Sequence, residues 1–116
     1  MGDLSENFDR AEFDCHCGCQ TNLTKPRLVL ILQVIREHFD RPVRVVSGTR
    51  CAKHNRKVGG AKHSQHLLGT AADIQIDGVN PGDVAAFAKT IMPGYGGIKA
   101  YATFCHVDTR PNMWRG

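Results

Sequence analysis

Between Thr24 and Phe39 the apolar residues Leu28, Ile31, Leu32, Ile35 and Phe39 recur at helical spacing, which predicts an amphipathic helix with one face toward a core. Thr24 is the expected cap, Pro26 suits the first turn, and Arg41-Pro42 ends the segment. Val43-Arg44-Val45-Val46-Ser47 follows, rich in β-branched residues, and predicts a strand before a turn at Gly48. From Cys51 to Ser64 polar groups and the Gly59-Gly60 pair predict a short helical turn and then a loop. Asp73-Ile74-Gln75-Ile76-Asp77 alternates polar and apolar positions, as a half-buried strand with Asp73 on its polar face would, and Asp77-Gly78 closes it. Asn80 then caps, and Pro81 opens, a second helix whose stripe is Val84, Phe87, Ala88 and Ile91, stopped by Pro93-Gly94. Residues 97–101 and 103–109 predict a terminal hairpin, with Pro111 and Trp114 in a short tail. The expected class is α+β, a small antiparallel sheet flanked by helices, with no repeat or linker to divide residues 1–116.

Composition narrows this picture only modestly. A chain of 116 residues suits one domain, and 41% hydrophobic with 22% charged residues is ordinary for a globular protein. No apolar run approaches the roughly 20 residues that a membrane helix needs, so membrane insertion is not expected. The start, Met1 to Glu6, has neither the basic patch nor the apolar stretch of a secretory signal, so export would need another route or a leader outside this sequence, and the location is open, cytoplasmic until release being one option. A net charge of +4 favours an anionic partner, yet the basic residues are scattered and aromatics make up only 7%, against a dedicated nucleic-acid module. Nothing calls for more than a monomer. Three of the five cysteines crowd into Cys15-His16-Cys17-Gly18-Cys19, and no second pair completes a structural zinc site, so a knuckle is expected. Pairing of Cys15 or Cys19 with Cys51 or Cys105 is the other option, and connectivity is open.

Chemistry enters with His66, Asp73 and His106. Two imidazoles and a carboxylate are what an open zinc site takes, the fourth position being left to water. If the Asp73 and His106 strands are neighbours, both side chains project from one face at a shared point, with His66 approaching from the loop. Gly69, Thr70, Ala71 and Ala72 are small and let backbone pass close to a metal. The competing reading is a purely structural His–Asp hydrogen bond.

The stretches Ser47-Gly48-Thr49-Arg50, His54-Asn55, Val58-Gly59-Gly60, Ser64-Gln65-His66-Leu67-Leu68-Gly69-Thr70-Ala71-Ala72-Asp73-Ile74 and His106-Val107-Asp108-Thr109-Arg110 together resemble the zinc D-alanyl-D-alanine carboxypeptidase family. That family comprises peptidoglycan peptidases and phage endolysins and shares its fold with the hedgehog signalling domain. The resemblance runs from about Phe8 to Trp114 and implies the hedgehog-like fold and one zinc ion per chain, held by His66, Asp73 and His106. It implies that Arg50 grips a substrate carboxylate, for which a planar guanidinium fork is suited. Ser64 positions the His66 loop or reaches the substrate.

The chain departs from the pattern at the general base, because many members carry an acid two or three positions before the last ligand, where this chain has Phe104 and Thr103. Asp108 is the expected substitute, since residues 106, 108 and 110 of a strand share a face; its alternative roles are orienting His106 and pairing with Arg110. His63 is a candidate to stabilise an oxyanion or shuttle a proton, or else is an exposed loop histidine. His54 and Asn55 are expected to brace the loop, and His16 and His38 to take no part.

The expected function is a zinc-dependent peptidase acting on peptidoglycan stem or cross-link peptides, of D-Ala-D-Ala carboxypeptidase or murein endopeptidase type, as in an endolysin. The absent acid motivates an alternative, a catalytically silent zinc module that binds wall peptides or a protein; a phage tail component is a third possibility. The metal centre does not dictate which bond is cut. Tyr95, Tyr101 and Trp114 are candidates either to line the groove that does or to seal a core edge.

Overall fold

Pro26 opens the first helix, α1 (Pro26–Phe39), at the position where its missing N–H costs nothing. The computed structural model describes residues 8, 25–48 and 70–115. The cap of α1 is Lys25, which makes no side-chain capping bond, instead of the expected Thr24, which lies outside the described residues. At the other end Asp40 turns left-handed (φ 51°) and returns its N–H to the Arg36 carbonyl at 3.0 Å. Leu28, Val29, Leu32 and Ile35 are buried, with Ile31 and Phe39 packed half-buried against the same core.

The strand β1 (Val43–Ser47) has the bounds that its β-branched run predicts. The next strand, β2 (Ala71–Ile76), begins ahead of Asp73 and is buried on both faces apart from Gln75, so the half-buried expectation is corrected. Sheet order explains the difference. The strands β3 (Gly97–Ala100) and β4 (Cys105–Asp108) complete a four-stranded sheet in the order β1-β2-β4-β3, all pairs antiparallel, which makes β2 an inner strand. The hairpin expected from residues 97–109 is present with shorter arms. Between β2 and β3 lies α2 (Pro81–Ile91), whose cap Asn80 accepts the Gly82 N–H at 2.7 Å.

Ile74, Ile76, Ile98, Cys105 and Val107 from the sheet join Leu28, Leu32 and Ile35 of α1, Val84 and Ala88 of α2, and Phe8 in one buried cluster. Burial of each such aliphatic side chain favours folding by about 1.5–3 kcal/mol before entropy is counted. Cys105 in this cluster is a free thiol, so it makes no bond to Cys15 or Cys19. Burial, chiefly, pushes its pKa up to about 12, with the charge of Asp73 adding to the effect. Since neighbours along a strand face opposite ways, the residues between these core positions, Asp73, His106 and Asp108, project from the other face.

After β4 the chain doubles back along β3. Trp114 forms a parallel bridge to Gly97, donating to the Gly96 carbonyl at 3.0 Å and accepting the Ile98 N–H at 2.9 Å, which covers the outer edge of the sheet. The Arg115 guanidinium donates to the carbonyls of Gly96 at 2.6 Å and Met92 at 3.2 Å, where α2 ends. Among the described residues no helix is long and apolar enough to cross a membrane.

Candidate functional site

One row of paired residues crosses the whole sheet: Ser47 of β1 opposes Asp73 of β2, which opposes His106 of β4, which opposes Lys99 of β3. Directly opposed residues share a face. The register shifts between Val45 and Ser47, an irregularity that places Ser47 opposite Asp73.

His106 is buried between two carboxylates. Its Nδ1 lies 3.0 Å from Asp73 Oδ1 and its Nε2 lies 2.7 Å from Asp108 Oδ2. An imidazole donates from both nitrogens only when protonated. Burial opposes that charge, but the hydrogen bonds to Asp108 and Asp73, with the charges of both, outweigh it and raise the pKa of His106.

Asp108 has no exposed surface. Its Oδ1 accepts the Gly97 N–H at 2.8 Å, the Arg110 N–H at 3.1 Å and the Arg110 Nε–H at 2.9 Å, while Oδ2 takes His106 and the Arg110 Nη2 at 2.7 Å each. Burial works against ionisation, yet the hydrogen bonds from His106 and Arg110 hold this carboxyl well below the usual range. Arg110 in turn lies over the Trp114 ring at 4.8 Å, and that ring meets His106 edge-on with centroids 5.6 Å apart.

Gly97 is a functional position that the motifs do not mark. A Cβ there would overlap the Asp108 carboxylate, so the carboxylate occupies the space that a side chain on β3 would take. A glycine opening a strand was the available signal.

Asp73 Oδ1 and His106 Nδ1 are a carboxylate and an imidazole donor at 3.0 Å. Two donors on a tetrahedral zinc ion sit roughly 3.3 Å apart, from bond lengths of about 2.0–2.2 Å. The pair therefore fits such a cation, and Asp108, holding Nε2, leaves Nδ1 as the nitrogen that faces Asp73. Among the described residues no three His, Cys, Asp or Glu side chains are grouped to hold a metal. The third expected ligand, His66, lies outside the described residues, as do Arg50, His54, Asn55, His63, Ser64 and the cysteine knuckle.

The structure thus brings together Asp73, His106 and Asp108. Asp108 makes both of the contacts that were the alternative to a base role. Of the aromatic candidates, Tyr95 packs half-buried against the core, and Trp114 packs on His106. Tyr101 stands exposed on the hairpin, stacked on Phe104. His38 stacks on Phe87 between the helices, with centroids 3.7 Å apart.

A family model described as Peptidase M15 matches residues 6–108. Over 76 residues the chain is 32% identical to the peptidoglycan L,D-endopeptidase MepK of Escherichia coli strain K12, covering 61% of this chain and 42% of that protein. Over 80 residues it is 35% identical to the probable peptidoglycan L,D-endopeptidase MepK of Haemophilus influenzae, covering 64% of this chain and 43% of that protein. The chain therefore spans less than half the length of the curated relatives it matches.

Proposed function

The chain belongs to the peptidase M15 family, and from that premise we propose that it is a zinc-dependent hydrolase of peptidoglycan peptides. The observation that carries this reading is the pairing of Asp73 with His106 on neighbouring inner strands, two metal-type donors at 3.0 Å inside the matched stretch. His66, Asp73 and His106 would hold the zinc ion. When bound there, zinc supplies Lewis acidity toward the scissile carbonyl and lowers the pKa of water to about 7.

The chain's own residues divide the remaining work. Asp108 fixes the ring of His106 and so acts as a positioning residue, because neither of its oxygens is free of a donor. Arg50 anchors a carboxylate of the peptide, Ser64 steadies the His66 segment, and His63 takes the part of proton carrier or oxyanion donor. Since the matched relatives are named L,D-endopeptidases, an internal cut is proposed ahead of carboxypeptidase trimming. The full engagement of Asp108, with Thr103 and Phe104 where an acid is expected, supports a second reading, a silent zinc module that holds wall peptides.

Purified protein is expected to carry about one zinc ion per chain and to shift the masses of muropeptides released from sacculi. A chelator or His66→Ala should abolish the shift. Cleavage by metal-free protein would eliminate the zinc reading, and unchanged masses with retained wall binding would establish the silent module.

A further inference from the structure

The row that contains Asp73 and His106 ends on the edge strand with Lys99, the register partner of His106. Opposed residues of antiparallel strands have Cβ atoms about 4.5–5.5 Å apart and project from one face. Lys99 therefore rises beside the candidate metal ligand, on its side of the sheet. Its ammonium lies 5.1 Å from the centre of the Tyr101 ring, and Tyr101 stacks on Phe104 with centroids 4.7 Å apart and planes at 18°.

The hairpin tip that carries these rings is tied down. Tyr101 donates its N–H to the Phe104 carbonyl at 2.8 Å, and Gln75 of β2 donates from Nε2 to the Thr103 carbonyl at 2.9 Å. Tyr101 is 42% exposed, an aromatic surface offered to solvent next to a cation. Charge completes the picture. Asp73 and Asp108 are each matched by His106, and Asp108 also by Arg110, whereas Lys99 forms no ion pair among the described residues.

We propose that Lys99, steadied by Tyr101 and Phe104, is a subsite for a free carboxylate of the bound peptide, selecting acidic peptides over their carboxamide counterparts. This rests on the peptidase reading and names a feature of the substrate that site accepts. A carboxylate gains a charge-assisted hydrogen bond from the ammonium, which a carboxamide at the same place does not match. The proposal adds a second cation to the expected Arg50 and assigns it to the β3 side of the site.

The test compares muropeptides bearing free carboxylates with the same muropeptides amidated, for the wild-type chain, Lys99→Gln and Lys99→Arg. The wild type should prefer the acid. Lys99→Gln should lose roughly tenfold in kcat/KM on the acid, carried by KM, with little change on the amide, and Lys99→Arg should restore most of it. Equal losses on both substrates, or none on either, overturn the subsite. If the wild type cleaves neither, the peptidase reading fails by itself, and the same muropeptides are titrated by calorimetry. A preference for the acid that disappears in Lys99→Gln then upholds the subsite, and equal Kd values for acid and amide overturn it.

Discussion

Asp108 accepts hydrogen bonds from Gly97, His106 and Arg110 with no surface exposed to solvent. A carboxylate so engaged can orient an imidazole, but it has little capacity left to take a proton from water. If the positioning assignment holds, Asp108→Ala should weaken zinc affinity by about 10- to 100-fold, read by competition with a chelator. It should also cost about 3–5 kcal/mol of stability, because it strands buried partners. Lost activity with undiminished zinc affinity would return Asp108 to the base role. The two-residue spacing of His106 and Asp108 was legible in the sequence. The choice between their roles was not, because it depends on Gly97, eleven residues away in the chain, and on the absence of solvent.

Among the elements, β3 and β4 pair with the Asp108 carboxylate in the space that a side chain at Gly97 would fill. Gly97→Ala is expected to force the strands apart or turn the carboxylate, destabilising the protein by about 1–3 kcal/mol in denaturant melts. Gly94, at φ 78° with nothing within 4 Å of where a Cβ would stand, is the control: Gly94→Ala should cost roughly 1 kcal/mol for backbone strain alone. Equal losses would show that crowding at Asp108 is not the cause, and a Gly94 variant with the greater loss would count against it still more. Helices α1 and α2 were readable because periodicity, proline at the start and the Asn80 cap act over a few neighbours. Residue type favours Thr24 as the cap of α1, whereas the helix begins directly after Lys25. Alternation along β2 predicts a half-buried strand because it reports the residues of one strand and not the neighbours on either side of it.

For the whole molecule, the sheet separates two jobs. One face packs with both helices into the core, and the other presents Asp73, His106 and Lys99 in a row. A metal joining Asp73 and His106 would link residues 33 apart in the chain, so it should stabilise the fold as a whole. Added zinc at 100 times its Kd is expected to contribute about 2.7 kcal/mol, seen as a rise in Tm that His106→Ala removes. A wild-type melt indifferent to zinc would contradict the assigned site. The α+β class, both helices, β1, the terminal hairpin and the donor types His and Asp are legible along the chain, since these follow from local periodicity, turn chemistry and side-chain identity. The order β1-β2-β4-β3, the meeting of Asp73 with His106, the sealing of Asp108 by Gly97 and Arg110, and the place of Lys99 at the end of the row emerge from the folded chain alone. The reason is physical: strand pairing joins residues distant in the chain, and its register is set by burying the complete apolar face at once, which no single segment specifies.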